Sequence, residues 1–337
     1  MKIIQYKRDT KIAVPGIYVG VPMETYHGDL CVGPSISSTG LRTLWDKSPA
    51  HYFEDSYLNL RNEDQDDDDD DDDEVKKEKV AFLFGRAAHH LLLGEDAFST
   101  LFIMRPTRAP DERAWNGNNN SCKAWLAEQA AAGRTVLTPK QIKTIRRMAK
   151  SLAQQGLVQA GILNGLIEHS MVWRDKETGV WLKARPDAIP NDSGDFGDLK
   201  TARSISKQDL SKVIGDYGYH QQAALIAEGF ETLTGQKMAS FSDIFVETKA
   251  PCCSRIVTIS QADIDRGREQ NRHCIRLFAE CVTTKEWPGP AEDDAEDIEL
   301  PKWKQEQIDR RLDWIKRAAL DKKHADNSST TEYALTP

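Results

Sequence analysis

The sequence predicts an α/β fold, a sheet flanked by helices, from three observations. Between residues 168 and 201 the apolar pattern has a period of two, interrupted twice by turn-forming clusters, which describes extended strands. On either side, residues 80–94, 206–234 and 261–281 carry apolar side chains at helical spacing. Two further strand candidates, 241–248 and 255–260, lie between the last two of these helices. At 337 residues the chain is long enough to bury a substantial core.

Taken in order, residues 16–36 alternate short apolar runs with Gly and Pro, after which Ser37 or Ser38 offers an N-cap to a short helix that stops before Pro49. Residues 63–74, EDQDDDDDDDDE, hold eleven acidic side chains and no basic one. Such a run repels itself and cannot bury apolar surface, so residues 63–79 are expected to form a disordered insert between 1–62 and a core at 80–290. Removing its eleven negative charges turns the net charge from -8 to +3, so the rest of the chain is compatible with a nucleic-acid partner. Val80, Phe84, Ala87, Ala88 and Leu91 then share a helix face. Thr138, Pro139 and Gln141 form a helix start with a cap, a proline at the first position and a reciprocal glutamine.

EHSMVW, VWLKARPD and FGDLKT read as a three-stranded antiparallel meander. In its second strand Val180, Leu182 and Ala184 face one way, and Trp181, Lys183, Arg185 and Asp187 the other. Helices from Ser206 to Thr234, interrupted near Gly215 to Gly218, and from Gln261 to Cys281 follow. Residues 291–337 are an extension, acidic at first, then helical and basic, with a polar tail. The mean hydropathy of -0.58 and the lack of a long apolar run describe a soluble chain with no membrane span. The first residues show no secretory signal, so a cytoplasmic location and six reduced cysteines are expected.

The chemistry sits on the meander. Asp198 and Lys200 are two apart on one strand and share a face, and the preceding turn brings Asp187 alongside. Two carboxylates brought together call for a cation, and their oxygens suit a hard divalent ion such as Mg²⁺. A lysine beside them can orient water or stabilise charge on a phosphate. The alternative is that both aspartates are turn residues and Lys200 a solvated strand residue.

RPD at 185–187, DLKT at 198–201, Glu168 and GRAAH at 85–89 together resemble the PD-(D/E)xK nucleases. The match is closest to the nuclease domain of the exonuclease VIII type. It spans about residues 15–305, through PGIYVGVPMETYH, SISSTGLRTLWDKSPAHY, FGRAAHHLLLGEDAF, WRDKETGVWLKARPD, DYGYHQQAAL, EWPGP and LPKWK. The resemblance implies a restriction-endonuclease-like core with a central mixed sheet. It implies metal binding by His89, Asp187, Asp198 and the Leu199 carbonyl, supported by Glu168, and a catalytic role for Lys200 with Gln222. Tyr219 and His220 would lie beside the scissile phosphate. Lys183, Arg185 and Tyr217 are further candidates for DNA contact. Ile226 stands where family members often carry tyrosine.

The activity so implied is Mg²⁺-dependent degradation of linear double-stranded DNA from its ends, 5′ to 3′, with Mn²⁺ able to substitute. A ring-shaped homo-oligomer and a single-strand annealing recombinase as partner come with it. The competing readings are an inactive DNA-binding or DNA-mimic protein on a nuclease fold, and a nicking or structure-specific endonuclease. Four cysteines bind an iron–sulfur cluster in parts of the superfamily, but Cys252 adjoins Cys253 and no C-x-x-C pair is present, so the cysteines read as structural thiols.

Overall fold

Two sheets, not one, receive the three strands expected between residues 168 and 201. The computed structural model describes residues 3–60, 73–94, 98–290 and 298–331. The N-terminal elements are β1 (Ile3–Gln5), β2 (Gly16–Val19), α1 (Met23–His27), β3 (Ser35–Ser37), α2 (Ser38–Asp46) and α3 (Pro49–Glu54). Then come α4 (Asp73–Leu92), α5 (Phe98–Leu101), β4 (Phe102–Met104), α6 (Asn120–Ala131), β5 (Thr135–Leu137), α7 (Pro139–Leu152) and α8 (Gly156–Gln159). The strand-rich part holds β6 (Leu166–Ile167), β7 (Ser170–Arg174), β8 (Trp181–Ala184), β9 (Ala188–Ile189) and β10 (Asp195–Ala202). It is followed by α9 (Lys207–Asp216), α10 (Tyr219–Thr234), β11 (Ser240–Glu247), β12 (Ser254–Thr258), α11 (Gln261–Thr284) and α12 (Lys302–Thr331).

The architecture is α/β with mixed sheets flanked by helices. A five-stranded sheet has the order β1-β2-β7-β8-β3, and a three-stranded sheet the order β10-β11-β12. β7 and β8 form the expected antiparallel hairpin, from Met171 opposite Ala184 to Arg174 opposite Trp181. Asp175 closes its turn by accepting from Thr178 N–H and Oγ1 at 2.8 and 2.7 Å. The meander ends there. Pro186 has no N–H to continue the ladder, so β8 stops at Ala184 and the chain resumes as β9 against β6. β10 instead pairs parallel with β11 over eight residues. A parallel pair needs a long crossover, and α9 with α10 provides it.

Alternation on β10 and β11 gives that sheet two buried faces. Phe196 and Phe241 join Trp173, Leu182 and the apolar sides of α2, α10 and α11 in the largest core cluster. Gly229 lies under Trp173, where a Cβ would come within 2.6 Å of the indole, so the helix packs against the ring through a missing side chain. Leu199, Ile244 and Val246, on the opposite face, pack with Ala87 and Ala88 of α4 and with Ile145, Met148 and Leu152 of α7. The α7 start has the reciprocal cap read from the sequence: Gln141 N–H donates to Thr138 Oγ1 and Thr138 N–H to Gln141 Oε1.

One boundary differs from expectation. α4 begins at Asp73, so residues 73–79 of the expected insert are helical, while 63–72 lie outside the described residues. DEVKKEK consists mostly of good helix formers. The chain divides into two units, Met1–Pro290 and Ala291–Pro337, the second containing α12. All six cysteines are free thiols. Among the described residues no helix is long and apolar enough to cross a membrane.

Candidate active site

β10 and α10 build one half of the site. Lys200 Nζ contacts Asp198 Oδ2 and donates to Gln222 Oε1 at 3.1 Å. Gln222 Nε2 donates to Asp198 Oδ1 at 2.9 Å, which closes a ring of three side chains. The Tyr219 ring, one turn earlier on α10, lies 4.4 Å from Lys200 Nζ. Gly218 starts that helix at φ 60°, and a Cβ there would sit 2.7 Å from Arg42 Cδ, so glycine is required both by the backbone and by the close approach of Arg42.

The other half comes from α4, the end of β6 and the start of β9. His89 Nε2 lies 2.9 Å from Asp187 Oδ1, and His89 Nδ1 lies 3.5 Å from Glu168 Oε1. Asp187 is held by Leu199 N–H, which donates to its Oδ2 at 2.5 Å. Glu168 N–H donates to the Asp187 carbonyl at 3.0 Å, with Glu168 in the left-handed region at φ 53°. That conformation costs a non-glycine residue about 1–2 kcal/mol. It turns Glu168 out of the strand direction at the point where its carboxylate meets His89. Gly85, four residues before His89, lines the same cavity, and a Cβ there would meet only Thr201 Oγ1 at 3.4 Å.

Donor atoms of His89, Glu168 and Asp187 all lie within 4.8 Å of one another. Two carboxylates and an imidazole at this separation fit a small divalent cation of the Mg²⁺ or Mn²⁺ kind. Asp198 stands outside that triplet, engaged by Lys200 and Gln222. The expected ligands therefore fall into two adjoining groups joined through Leu199.

The charges of these groups act on one another. Burial pulls the His89 imidazole down, but Asp187, with Glu168 and Asp198 behind it, outweighs burial and pushes it up to about 9. Burial works against ionisation of Asp187 as well, yet His89, Lys200 and the Leu199 N–H hold it below the usual carboxylate range. Asp198 is pushed up by burial and by the charge of Asp187, only partly offset by Lys200. For Lys200, burial is outweighed by Asp198, Asp243 and Asp187, which hold the ammonium above its ordinary range.

These residues open onto a cavity of about 1090 Å³ lined by Lys200, Gln222, Tyr219 and Arg185, and also by Arg42, Arg86 and Arg8. Arg185 donates to Ser170 Oγ and the Val21 carbonyl, both at 2.9 Å, with its guanidinium 4.4 Å from the Tyr26 ring. Tyr217 is exposed and stacks on Tyr219 at 5.9 Å. Two candidates lie elsewhere. Lys183 is buried, bonded to the Gly28 carbonyl at 3.3 Å and enclosed by the Tyr26 and Tyr57 rings, because the outer face of its strand is covered as fully as the inner one. His220 points to α11, its Nε2 2.7 Å from Gln270 Oε1, since one residue past Tyr219 the helix has turned by about 100°. Trp181 is core.

Sequence reasoning missed two residues here. Arg42 donates to the Tyr217 carbonyl and faces the cavity from α2. Asp243, on β11, is paired in register with Asp198 and fully buried. The signal for it was present: Phe241, Asp243 and Phe245 share one strand face, and an acid between two phenylalanines has no reason to be there for packing. A second concavity is lined by Arg105, Arg113, Trp115, Asn116 and Asn119, with Asn119 Nδ2 donating to Asp111 Oδ2 at 2.9 Å. The Arg105 guanidinium lies 5.2 Å from the Trp115 ring.

A family model described as a PDDEXK-like domain of unknown function (DUF3799) matches residues 45–299. Among solved structures, the chain is similar to a protein from Eubacterium rectale described as a "putative exonuclease". The two share 14% identity and a TM-score of 0.52, over 84% of this chain and 96% of the other, a likeness of fold. No curated protein matches the sequence.

Proposed function

Because the chain belongs to the PDDEXK-like domain family DUF3799, we propose that it is a metal-dependent deoxyribonuclease that degrades linear double-stranded DNA from its ends. The observation that carries this reading is the junction of two groups: His89, Glu168 and Asp187 with donor atoms within 4.8 Å, and Lys200 bonded to Gln222 and Asp198 beside them. A fold retained only for binding has no chemical need of both.

His89, Glu168 and Asp187 would hold the cation, with Asp198 and the Leu199 carbonyl as further ligands. When bound, Mg²⁺ or Mn²⁺ supplies positive charge that polarises the scissile phosphate and makes water more acidic. Lys200 keeps its proton in this surrounding, so it acts as a donor at Nζ, orienting the attacking water and stabilising charge on phosphate oxygens. Gln222 is bonded to both Asp198 and Lys200, which ties the lysine to α10 and limits what must be ordered for reaction. Arg185 and Arg42 bring positive charge to the cavity for the DNA backbone, and Tyr219 with Tyr217 offers a stacking surface. Arg105 and Arg113 line a second concavity whose positive charge suits a DNA backbone.

The finer parts of the proposal rest on the exonuclease VIII resemblance: 5′-to-3′ polarity, a ring-shaped homo-oligomer, cytoplasmic action and supply of single strands to an annealing recombinase. The test is digestion of end-labelled linear duplex with Mg²⁺ beside a covalently closed circle. Shortening of the linear substrate alone is expected. Cleavage of both assigns a nicking or structure-specific enzyme, and cleavage of neither overturns the nuclease reading.

A further inference from the structure

Asp243 of β11 is the Cα partner of Asp198 of β10. Paired residues of a parallel ladder project from the same face of the sheet, so Asp243 stands beside Asp198 on the face that also carries Lys200. It has no exposed surface, and neither carboxylate oxygen has a hydrogen-bond partner among the described residues. Enclosing a carboxyl without a donor is unfavourable, and its neighbours on that face, Phe241 and Phe245, are apolar. An unsatisfied acid kept between two phenylalanines on its strand and beside Asp198 on the next marks a place where function overrides packing.

Lys200 is the cation whose charge acts on Asp243, and Asp243 is the second carboxylate, after Asp198, that acts on Lys200. In the structure the Lys200 ammonium is committed to Asp198 and Gln222. Asp198 has another duty in the nuclease reading, as a ligand. Were its oxygens to turn to a cation, the ammonium would lose its nearest counter-charge while still largely out of water.

Resting on that reading, we propose that Asp243 is the second anchor of Lys200, a positioning residue that takes the ammonium when Asp198 is engaged and keeps it on the site face. A carboxyl group retains an acceptor oxygen in either protonation state, so the anchor does not depend on ionisation of Asp243. The ring of Tyr219 lies 4.4 Å from Nζ and covers the ammonium on that side. Gln222, bonded to Lys200 through its oxygen, can stay with the ammonium in both positions.

Two measurements test this. In the first, Asp243→Leu removes both acceptors while keeping the branched shape, and Asp243→Asn keeps one. The leucine variant is expected to lose about 10- to 100-fold in kcat on end-labelled duplex, the scale of one hydrogen bond to a charged group. DNA affinity measured with Ca²⁺ should be unchanged. The asparagine variant should stay within about threefold of the parent. Parent-like kcat in the leucine variant, or equal loss in both, overturns the anchor and leaves the nuclease reading standing; failure of the parent to cleave overturns that reading instead. The second measurement needs no activity: a crystal structure of Asp198→Ala should place Lys200 Nζ within hydrogen-bond distance of an Asp243 oxygen. A lysine turned to solvent there overturns the proposal, including in the case that Asp243→Leu fails to fold.

Discussion

Two lysines on neighbouring segments of this chain end in opposite electrostatic states. Lys183 of β8 is 2% exposed, with a carbonyl and two tyrosine rings around its ammonium. Burial pulls it down to about 8, with Cys31 and Asp29 pushing back. Lys200 of β10 is also largely enclosed, yet three carboxylates hold it above its ordinary range. Both lie on strands, both alternate with apolar residues, and both read from the sequence as facing the site. The difference is the partner sheet: β8 runs between β7 and β3, whose residues bring no carboxylate to Lys183, whereas β10 runs beside β11 and under α10. An enclosed lysine is a catalytic candidate when its enclosure is made of acids, and an accommodated cation when it is made of rings and carbonyls.

The largest effect should separate the two lysines directly. Lys200→Met should lower the rate of duplex degradation by about three orders of magnitude or more, the scale of losing a group that stabilises transition-state charge. Lys183→Met should remain within about threefold of the parent. Initial rates at saturating Mg²⁺ decide it, and a comparable loss in both variants would erase the distinction.

His89→Ala should come next, with about a 10- to 100-fold loss at low Mg²⁺, partly restored by Mn²⁺, which binds the remaining ligands more readily. A metal titration identical to that of the parent would remove His89 from the ligand set. Replacing Arg105 and Arg113 together by alanine should weaken duplex binding across sequences and lower the slope of log affinity against log salt by about 1–2. An unchanged slope would place that concavity off the DNA path.

The smallest effect concerns stability at Lys183. Its pKa is lower in the folded chain, about 8 against an ordinary 10.5, so between those values the unfolded chain binds more protons and stability rises with pH. Below about pH 8 both states are protonated and the penalty of the buried charge is fully present. Lys183→Met should therefore raise Tm by a few degrees at pH 7 and flatten the rise between pH 8 and 10. Thermal melts across that range check it, and a lower Tm for Lys183→Met at pH 7 would show that the Tyr26 and Tyr57 rings more than compensate burial.

Much of this was legible before any coordinates. The hairpin follows from alternation around the DKETG turn, the start of α7 from a reciprocal cap, and the break at Gly218 from a residue that tolerates a positive φ. Asp187, Asp198 and Lys200 were found because their spacing places acids and a base together within one short stretch. Glu168, His89 and Gln222, far apart along the chain, were named through the family resemblance, and the structure brings all three to the same cavity.

What sequence alone determined, then, is local: strand and helix periods, caps, turns and the pairing of residues a few positions apart. Tertiary structure alone decided which surfaces cover each face. Alternation tells that Lys183 and Leu182 point opposite ways, but both faces of β8 are enclosed, so it cannot say which residue reaches a cavity. Position on α10 tells that His220 is next to Tyr219, but only the docking of α11 turns its ring toward Gln270. β10, expected as the third strand of the meander, pairs with β11 instead of β8 through a crossover of two helices, and that long-range parallel pairing, invisible to any local pattern, sets Asp243 beside Asp198 and Lys200.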